Sequence, residues 1–188
     1  IHAYSKEGGG STFVVLIPSQ TAKKEEARPR PNSENNLLEA SQSFIESLPR
    51  ALIVDDLAMN QIILFSYLKK LNIHSDIANN GAEALQMFKS KPNGYYSFIT
   101  MDLQMPVMDG ITACQEIRKY EATKNQSPVP IIVITGNCTE TEKLKCMNPN
   151  GGVRAFNFFR KPFSFEECKK TVQSIFDENQ VARLSRVL

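Results

Sequence analysis

Five residues of this chain carry side chains suited to handling a phosphoryl group, and all five stand where apolar runs end. The adjacent carboxylates Asp55 and Asp56 follow Ala51-Leu52-Ile53-Val54, and Asp102 follows Phe98-Ile99-Thr100-Met101. Thr135 closes Pro130-Ile131-Ile132-Val133-Ile134, and Lys161 lies just past Ala155-Phe156-Asn157-Phe158-Phe159. Hard carboxylate oxygens suit Mg²⁺, which takes one or two of them together with phosphate oxygens. A hydroxyl donates to a phosphoryl oxygen, and a lysine ammonium supplies a compact positive charge. The set makes a metal-dependent phosphoryl-transfer site with no separate nucleophile unless an aspartate serves. Taken singly, the aspartate pair reads as a solvated turn, Lys161 as a surface lysine and Thr135 as a strand end. Their shared place at the exits of apolar runs argues for the site instead.

Short apolar runs bounded by turn residues read as buried parallel strands, and open parallel sheets place their chemistry beyond the carboxyl ends of the strands. From Ala51 onward, strand and helix patterns alternate at a spacing that calls for parallel crossovers. A first helix spans about Ala58 to Leu71, with Leu64, Tyr67, Leu68 and Leu71 on one face. Ile73 to Ala78 reads as a short strand, and Asn79-Asn80-Gly81 turns into a helix with Ala84, Leu85 and Phe88 inward. Gly110 opens a third helix that buries Ala113, Cys114 and Ile117. Capping boxes, Thr139 with Glu142 and Ser164 with Glu167, start the fourth and fifth. Phe165, Cys168, Val172, Ile175 and Phe176 form the inward stripe of the last. The fold class is α/β, a five-stranded parallel doubly wound sheet with five flanking helices.

The composition excludes several classes. The 188 residues are 41% hydrophobic and 22% charged, and 22 basic against 20 acidic residues leave a net charge of +2. Charges of both signs are interspersed, so no nucleic-acid footprint is visible and no nucleic-acid partner is expected. Apolar stretches fall far short of the about 20 residues that span a bilayer, so this segment itself makes no membrane contact. Cys114, Cys138, Cys146 and Cys168 have unrelated spacings, and with only His2 and His74 to join them they read as packing residues of a reduced protein. His74 reads as structural. Met101, Met105 and Met108 read as packing, and Glu121, Lys124, Lys169 and Lys170 as solvated surface.

Residues 1–18 pass through Gly8-Gly9-Gly10 into Phe13-Val14-Val15-Leu16-Ile17, a glycine turn feeding a strand too short to form its own core. The chain starts without Met, so this segment is expected to be the tail of an upstream domain. Residues 19–49, rich in Ser, Asn, Glu and Lys with Pro29, Pro31 and Pro49, read as a linker. Residues 50–178 form the main domain and 179–188 a tail.

Taken in order, Val54-Asp55-Asp56, the segment Met101-Asp102-Leu103-Gln104-Met105-Pro106-Val107-Met108-Asp109-Gly110, Thr135-Gly136 and Lys161-Pro162-Phe163 resemble the response-regulator receiver domain of two-component signalling. The resemblance covers residues 50 to about 178 and implies the flavodoxin-like strand order 2-1-3-4-5. Asn60 and Asn80-Gly81 are similar to the variants fused to histidine kinases. The leading segment resembles the final hairpin of a histidine-kinase ATP-binding domain, so the order of parts implies the carboxyl end of a hybrid sensor histidine kinase. The chain has no His-Glu phosphoacceptor helix and no nucleotide-binding asparagine helix, so kinase activity is not expected to reside in it.

For the site, the resemblance implies that Asp102 is the phosphoacceptor, taking the group from a phosphohistidine. Asp55, Asp56, Asp102 and the backbone carbonyl of Gln104 would hold Mg²⁺, and Lys161 and Thr135 would contact the phosphoryl group. Thr135 and Phe158 would form the switch, Gln104 and Asn137 would tune phosphoryl lifetime, and the Lys161–Pro162 bond would be cis. The implied partners are a histidine-kinase phosphohistidine and a histidine phosphotransfer protein, in the cytoplasm, whether or not the parent is membrane-anchored. Two rivals stand beside this reading. A small aspartate-nucleophile phosphohydrolase would need a carboxylate two residues after its nucleophile, where Gln104 stands; a degenerate receiver serving as a binding module would be expected to have lost acidic or lysine positions. The segment from Met147 to Arg154 is longer than the family's usual glycine turn, which makes the output face individual to this chain.

Overall fold

The computed structural model describes residues 2–6, 9–14, 48–136 and 139–184, and the chain divides into two units, Ile1–Gln42 and Ser43–Leu188. In the first unit β1 (His2–Lys6) and β2 (Gly9–Val14) pair antiparallel, with a register irregularity between Ser5 and Lys6. Most of the expected linker, and Asn137 and Cys138, lie outside the described residues.

The second unit runs β3 (Arg50–Val54), α1 (Ala58–Lys70), β4 (His74–Ala78), α2 (Gly81–Ser90), β5 (Phe98–Met101), α3 (Gly110–Thr123), β6 (Ile131–Thr135), α4 (Glu140–Met147), β7 (Asn157–Arg160) and α5 (Phe165–Leu184). Its five strands are all parallel in the order β4-β3-β5-β6-β7, which is the expected 2-1-3-4-5. The three inner strands are apolar almost throughout because helices cover both faces. Successive strand residues feed opposite layers. Leu52, Val54, Ile99, Met101, Ile131 and Val133 pack with Ala84 of α2, Ala113, Cys114 and Ile117 of α3, and Cys146 of α4. Ala51, Ile53, Phe98, Ile132 and Ile134 pack with Leu64 and Leu68 of α1 and Cys168, Val172 and Ile175 of α5. Cys114, Cys146 and Cys168 are buried, and burial pushes Cys114 up to about 12 and Cys168 up to about 11.

Both expected capping boxes form. Thr139 Oγ1 accepts from Glu142 N–H while Glu142 accepts from Thr139 N–H, and Ser164 and Glu167 repeat the exchange. The last strand begins at Asn157, two residues later than the apolar run, because Ala155 N–H is taken by Cys146 O. Helix α5 continues to Leu184, past the boundary expected at 178.

One surface assignment is overturned. Glu121 is 2% exposed and pairs with Arg118, itself 5% exposed, at 2.9 Å. It lies one turn after the buried Ile117 and so faces inward, where a charge persists only when paired and hydrogen-bonded. Arg118 also donates to the carbonyls of Val129, Val153 and Arg154, while Glu121 accepts from Val129 N–H. The pair thereby pins the end of the long 147–154 loop to α3.

Candidate functional site

Neighbouring parallel strands bring the expected side chains to one edge. Val54 and Met101 are in register on β3 and β5, so Asp55 and Asp102 leave the sheet side by side. The ladder continues past the strand ends, with Asp102 N–H donating to Val54 O at 2.9 Å and Asp55 N–H to Ala78 O at 3.2 Å. On the other flank Lys161 N–H donates to Thr135 O at 2.9 Å, and the Lys161–Pro162 bond is cis. The Lys161 ammonium reaches back over the edge and lies 2.6 Å from both Asp55 Oδ2 and Asp102 Oδ2. Burial pulls this ammonium's pKa down, but the hydrogen bonds and charges of Asp102 and Asp55 outweigh it and hold the group above the ordinary lysine value. It is therefore a permanent cation between two buried carboxylates.

Asp56 is exposed and completes the acidic group: carboxylate oxygens of Asp55, Asp56 and Asp102 lie within 4.8 Å of one another. Ligands on opposite sides of a Mg²⁺ are about 4.2 Å apart, twice its about 2.1 Å bond. Three oxygens so gathered need only small rotations to share one ion, so the donor set fits a hard divalent cation. Gln104 is exposed, and its N–H donates to Asp102 Oδ1 at 3.3 Å. Thr135 is fully buried at the end of β6. Phe158, opposite Val133 on β7, is half-buried against the α2, α3 and α4 layer. Asn137 lies outside the described residues.

The backbone around Asp102 depends on glycine. A Cβ on Gly110 would lie 2.0 Å from Asp102 O, and one on Gly81 would lie 2.7 Å from Ala113 Cβ and 2.8 Å from Met108 O. Between them Met108 N–H donates to Pro106 O at 2.8 Å, a three-residue turn centred on Val107. Val107 holds φ at 69° and is 87% exposed, an uncommon state for a β-branched residue. The fold accepts this strain beside the proposed acceptor.

The residues that hold Asp55 carried little signal. Asp55 Oδ1 accepts from Leu57 N–H at 3.0 Å and from the Asn60 side-chain amide at 2.9 Å. Gln61 Nε2 donates to Asp55 O at 2.6 Å and to Asn79 Oδ1 at 3.0 Å. Asn60 stood out only by resemblance, and Gln61 not at all; the available clue was two amides in the first turn of a helix that follows an aspartate.

Residues 51–173 match the response regulator receiver domain family. Hybrid signal transduction histidine kinase K of Dictyostelium discoideum is 26% identical over 175 residues, covering 91% of this chain but only 13% of that protein. The co-crystal structure of the Saccharomyces cerevisiae histidine phosphotransfer protein Ypd1 with the receiver domain of the response regulator Ssk1 matches with a TM-score of 0.58 at 32% identity, covering 65% of this chain and 85% of the other. The receiver domain of a sensor histidine kinase from Pseudomonas aeruginosa PAO1, with a magnesium ion coordinated in its active site cleft, matches with a TM-score of 0.56 at 26% identity over 68% of this chain and 97% of that one. The family match takes in every strand of the parallel sheet and the whole acidic edge, and the chain therefore belongs to the response regulator receiver domain family.

Proposed function

We propose that this chain is the phosphoryl-accepting receiver of a hybrid sensor histidine kinase and that Asp102 takes the phosphoryl group. The observation that carries the reading is the Lys161 ammonium bridging Asp55 and Asp102 at 2.6 Å. A fixed cation over a carboxylate nucleophile neutralises the equatorial oxygens of an arriving phosphoryl group. An Asp102 oxygen forms the bond to phosphorus as the bond from phosphorus to the donor histidine nitrogen breaks. The imidazole leaves with the electron pair, and the product is an acyl phosphate. A carboxylate is a weak nucleophile, but this transfer needs mainly in-line placement and charge neutralisation.

Asp55, Asp56, Asp102 and the Gln104 carbonyl would hold Mg²⁺, which supplies further neutralisation of the phosphoryl oxygens. Lys161 pairs with one phosphoryl oxygen. The added charge, about −1.5 to −2 at neutral pH, draws the Thr135 hydroxyl toward the phosphate, and Phe158 follows into the vacated space. By the family resemblance, Gln104 and Asn137 would set how readily water reaches the group. The result is a two-state surface on α4, β7 and α5 biased by phosphate.

The donor is a histidine-kinase phosphohistidine, and the partner a histidine phosphotransfer protein of the class represented by Ypd1. Leu57, Met59 and Ile62, at the N-cap and in the first turns of the helix that follows Asp55-Asp56, are exposed and apolar and suit such a partner. The kinase match covers 91% of the chain and so extends upstream of the receiver, which supports the hybrid arrangement. Residues 1–18 are then the end of a kinase ATP-binding domain, 19–49 its linker and 50–178 the receiver. Buried cysteines support a cytoplasmic setting, and among the described residues no helix is long and apolar enough to cross a membrane. Incubation with a small phosphodonor and Mg²⁺ followed by mass spectrometry should find the label on Asp102; label elsewhere, or none, would defeat the reading. Unchanged amide shifts across residues 139–165 on binding a phosphoryl analogue would defeat the switch.

A further inference from the structure

We infer that Asn60 is a positioning residue for Asp55, fixing the plane of its carboxylate for metal from the first turn of α1; the inference rests on the receiver reading above. Asp55 is 1% exposed, and its two carboxylate oxygens have separate partners. Oδ2 faces the site, where Lys161 lies at 2.6 Å. Oδ1 faces the helix, accepting from Leu57 N–H at 3.0 Å and from Asn60 Nδ2 at 2.9 Å.

This arrangement also serves the helix. Leu57, at the N-cap of α1, makes no side-chain cap hydrogen bond, and its own N–H, just before the helix, donates to Asp55 Oδ1. The carboxylate is therefore shared between a helix start and a metal site, and among the described residues Asn60 is the one side chain that donates to the shared oxygen. A carboxylate held from behind meets the ion already oriented, and outer hydrogen-bond partners of this kind commonly govern affinity. Without the amide, Oδ1 keeps only the longer backbone bond and the group is free to turn both oxygens toward the Lys161 ammonium.

The test uses the chain as it stands, titrated with Mg²⁺ by calorimetry in the absence of any phosphodonor. Asn60→Leu has nearly the shape of Asn and a better helix propensity, so it removes the donor without weakening α1. It should weaken Mg²⁺ binding by about tenfold to a hundredfold, the usual range for such partners, and Asn60→Gln should restore part of the loss. Leu68→Val, in the core beneath the same helix, should lower the unfolding midpoint and leave Mg²⁺ affinity unchanged. Equal affinity in the wild-type chain and Asn60→Leu would overturn the inference, as would an equal loss in Leu68→Val. Absence of Mg²⁺ binding by the wild-type chain would overturn the receiver reading itself.

Discussion

Replacing Lys161 by Met tests whether the ammonium is the counter-charge that lets two aspartates share a buried edge. The side chain keeps its reach and loses its charge. Asp55 and Asp102 are 1% and 7% exposed at the side chain, so without metal they would be left as neighbouring buried anions. Removing one partner of a buried ion pair costs about 3–5 kcal/mol. Lys161 is itself 18% exposed, and the Asp56 side of the site opens to water, so the lower end applies: about 3 kcal/mol. With a urea slope of about 2 kcal/mol/M, the midpoint in EDTA should fall by about 1.5 M. Mg²⁺ should narrow the gap, because the ion supplies the missing positive charge and at a hundredfold excess over its dissociation constant adds about 2.7 kcal/mol. The variant should gain more from it than the wild type, whose lysine already occupies both inner oxygens. A loss below about 0.5 kcal/mol in EDTA, the range of ordinary surface substitutions, would refute the reasoning, as would a gap that Mg²⁺ leaves unchanged.

Asp102→Asn should remove Mg²⁺-dependent labelling by a small phosphodonor while leaving the circular dichroism spectrum unchanged, because an amide of the same shape does not attack phosphorus. Gly110→Ala forces a Cβ to within 2.0 Å of Asp102 O; the loop must move, and both the unfolding midpoint and the labelling rate should drop. Arg118→Met leaves Glu121 buried and unpaired and should cost about 3–5 kcal/mol in urea unfolding. The double variant with Glu121→Leu should recover only part of that, since the Val129, Val153 and Arg154 carbonyls remain without their donor, and a thermodynamic cycle reads the coupling.

The positions of the strands, the caps and the acidic edge were legible because they are written in local pattern. A run such as Leu52-Ile53-Val54 followed by Asp55 states both burial and exit within a few residues, and parallel pairing sends every such exit to the same edge. The glycine at 110 and the two capping boxes are local in the same sense.

What only the tertiary structure decided is the choice of partner across long stretches of chain. Lys161 is 59 residues from Asp102 and 106 from Asp55, and nothing near Lys161 in sequence says that it bridges one oxygen of each. Glu121 looked like surface because a charge is usually solvated; it is interior because Arg118 and the Val129 amide meet it there. Gln61 reads as an ordinary helix residue and Asn60 stands out only by resemblance, and their contacts with Asp55 arise only when the turn after β3 folds the first turn of α1 back onto it. Periodicity along the chain sets which face a residue occupies, whereas hydrogen-bond partners are set by strand order and packing, and these exist only once the sheet is assembled.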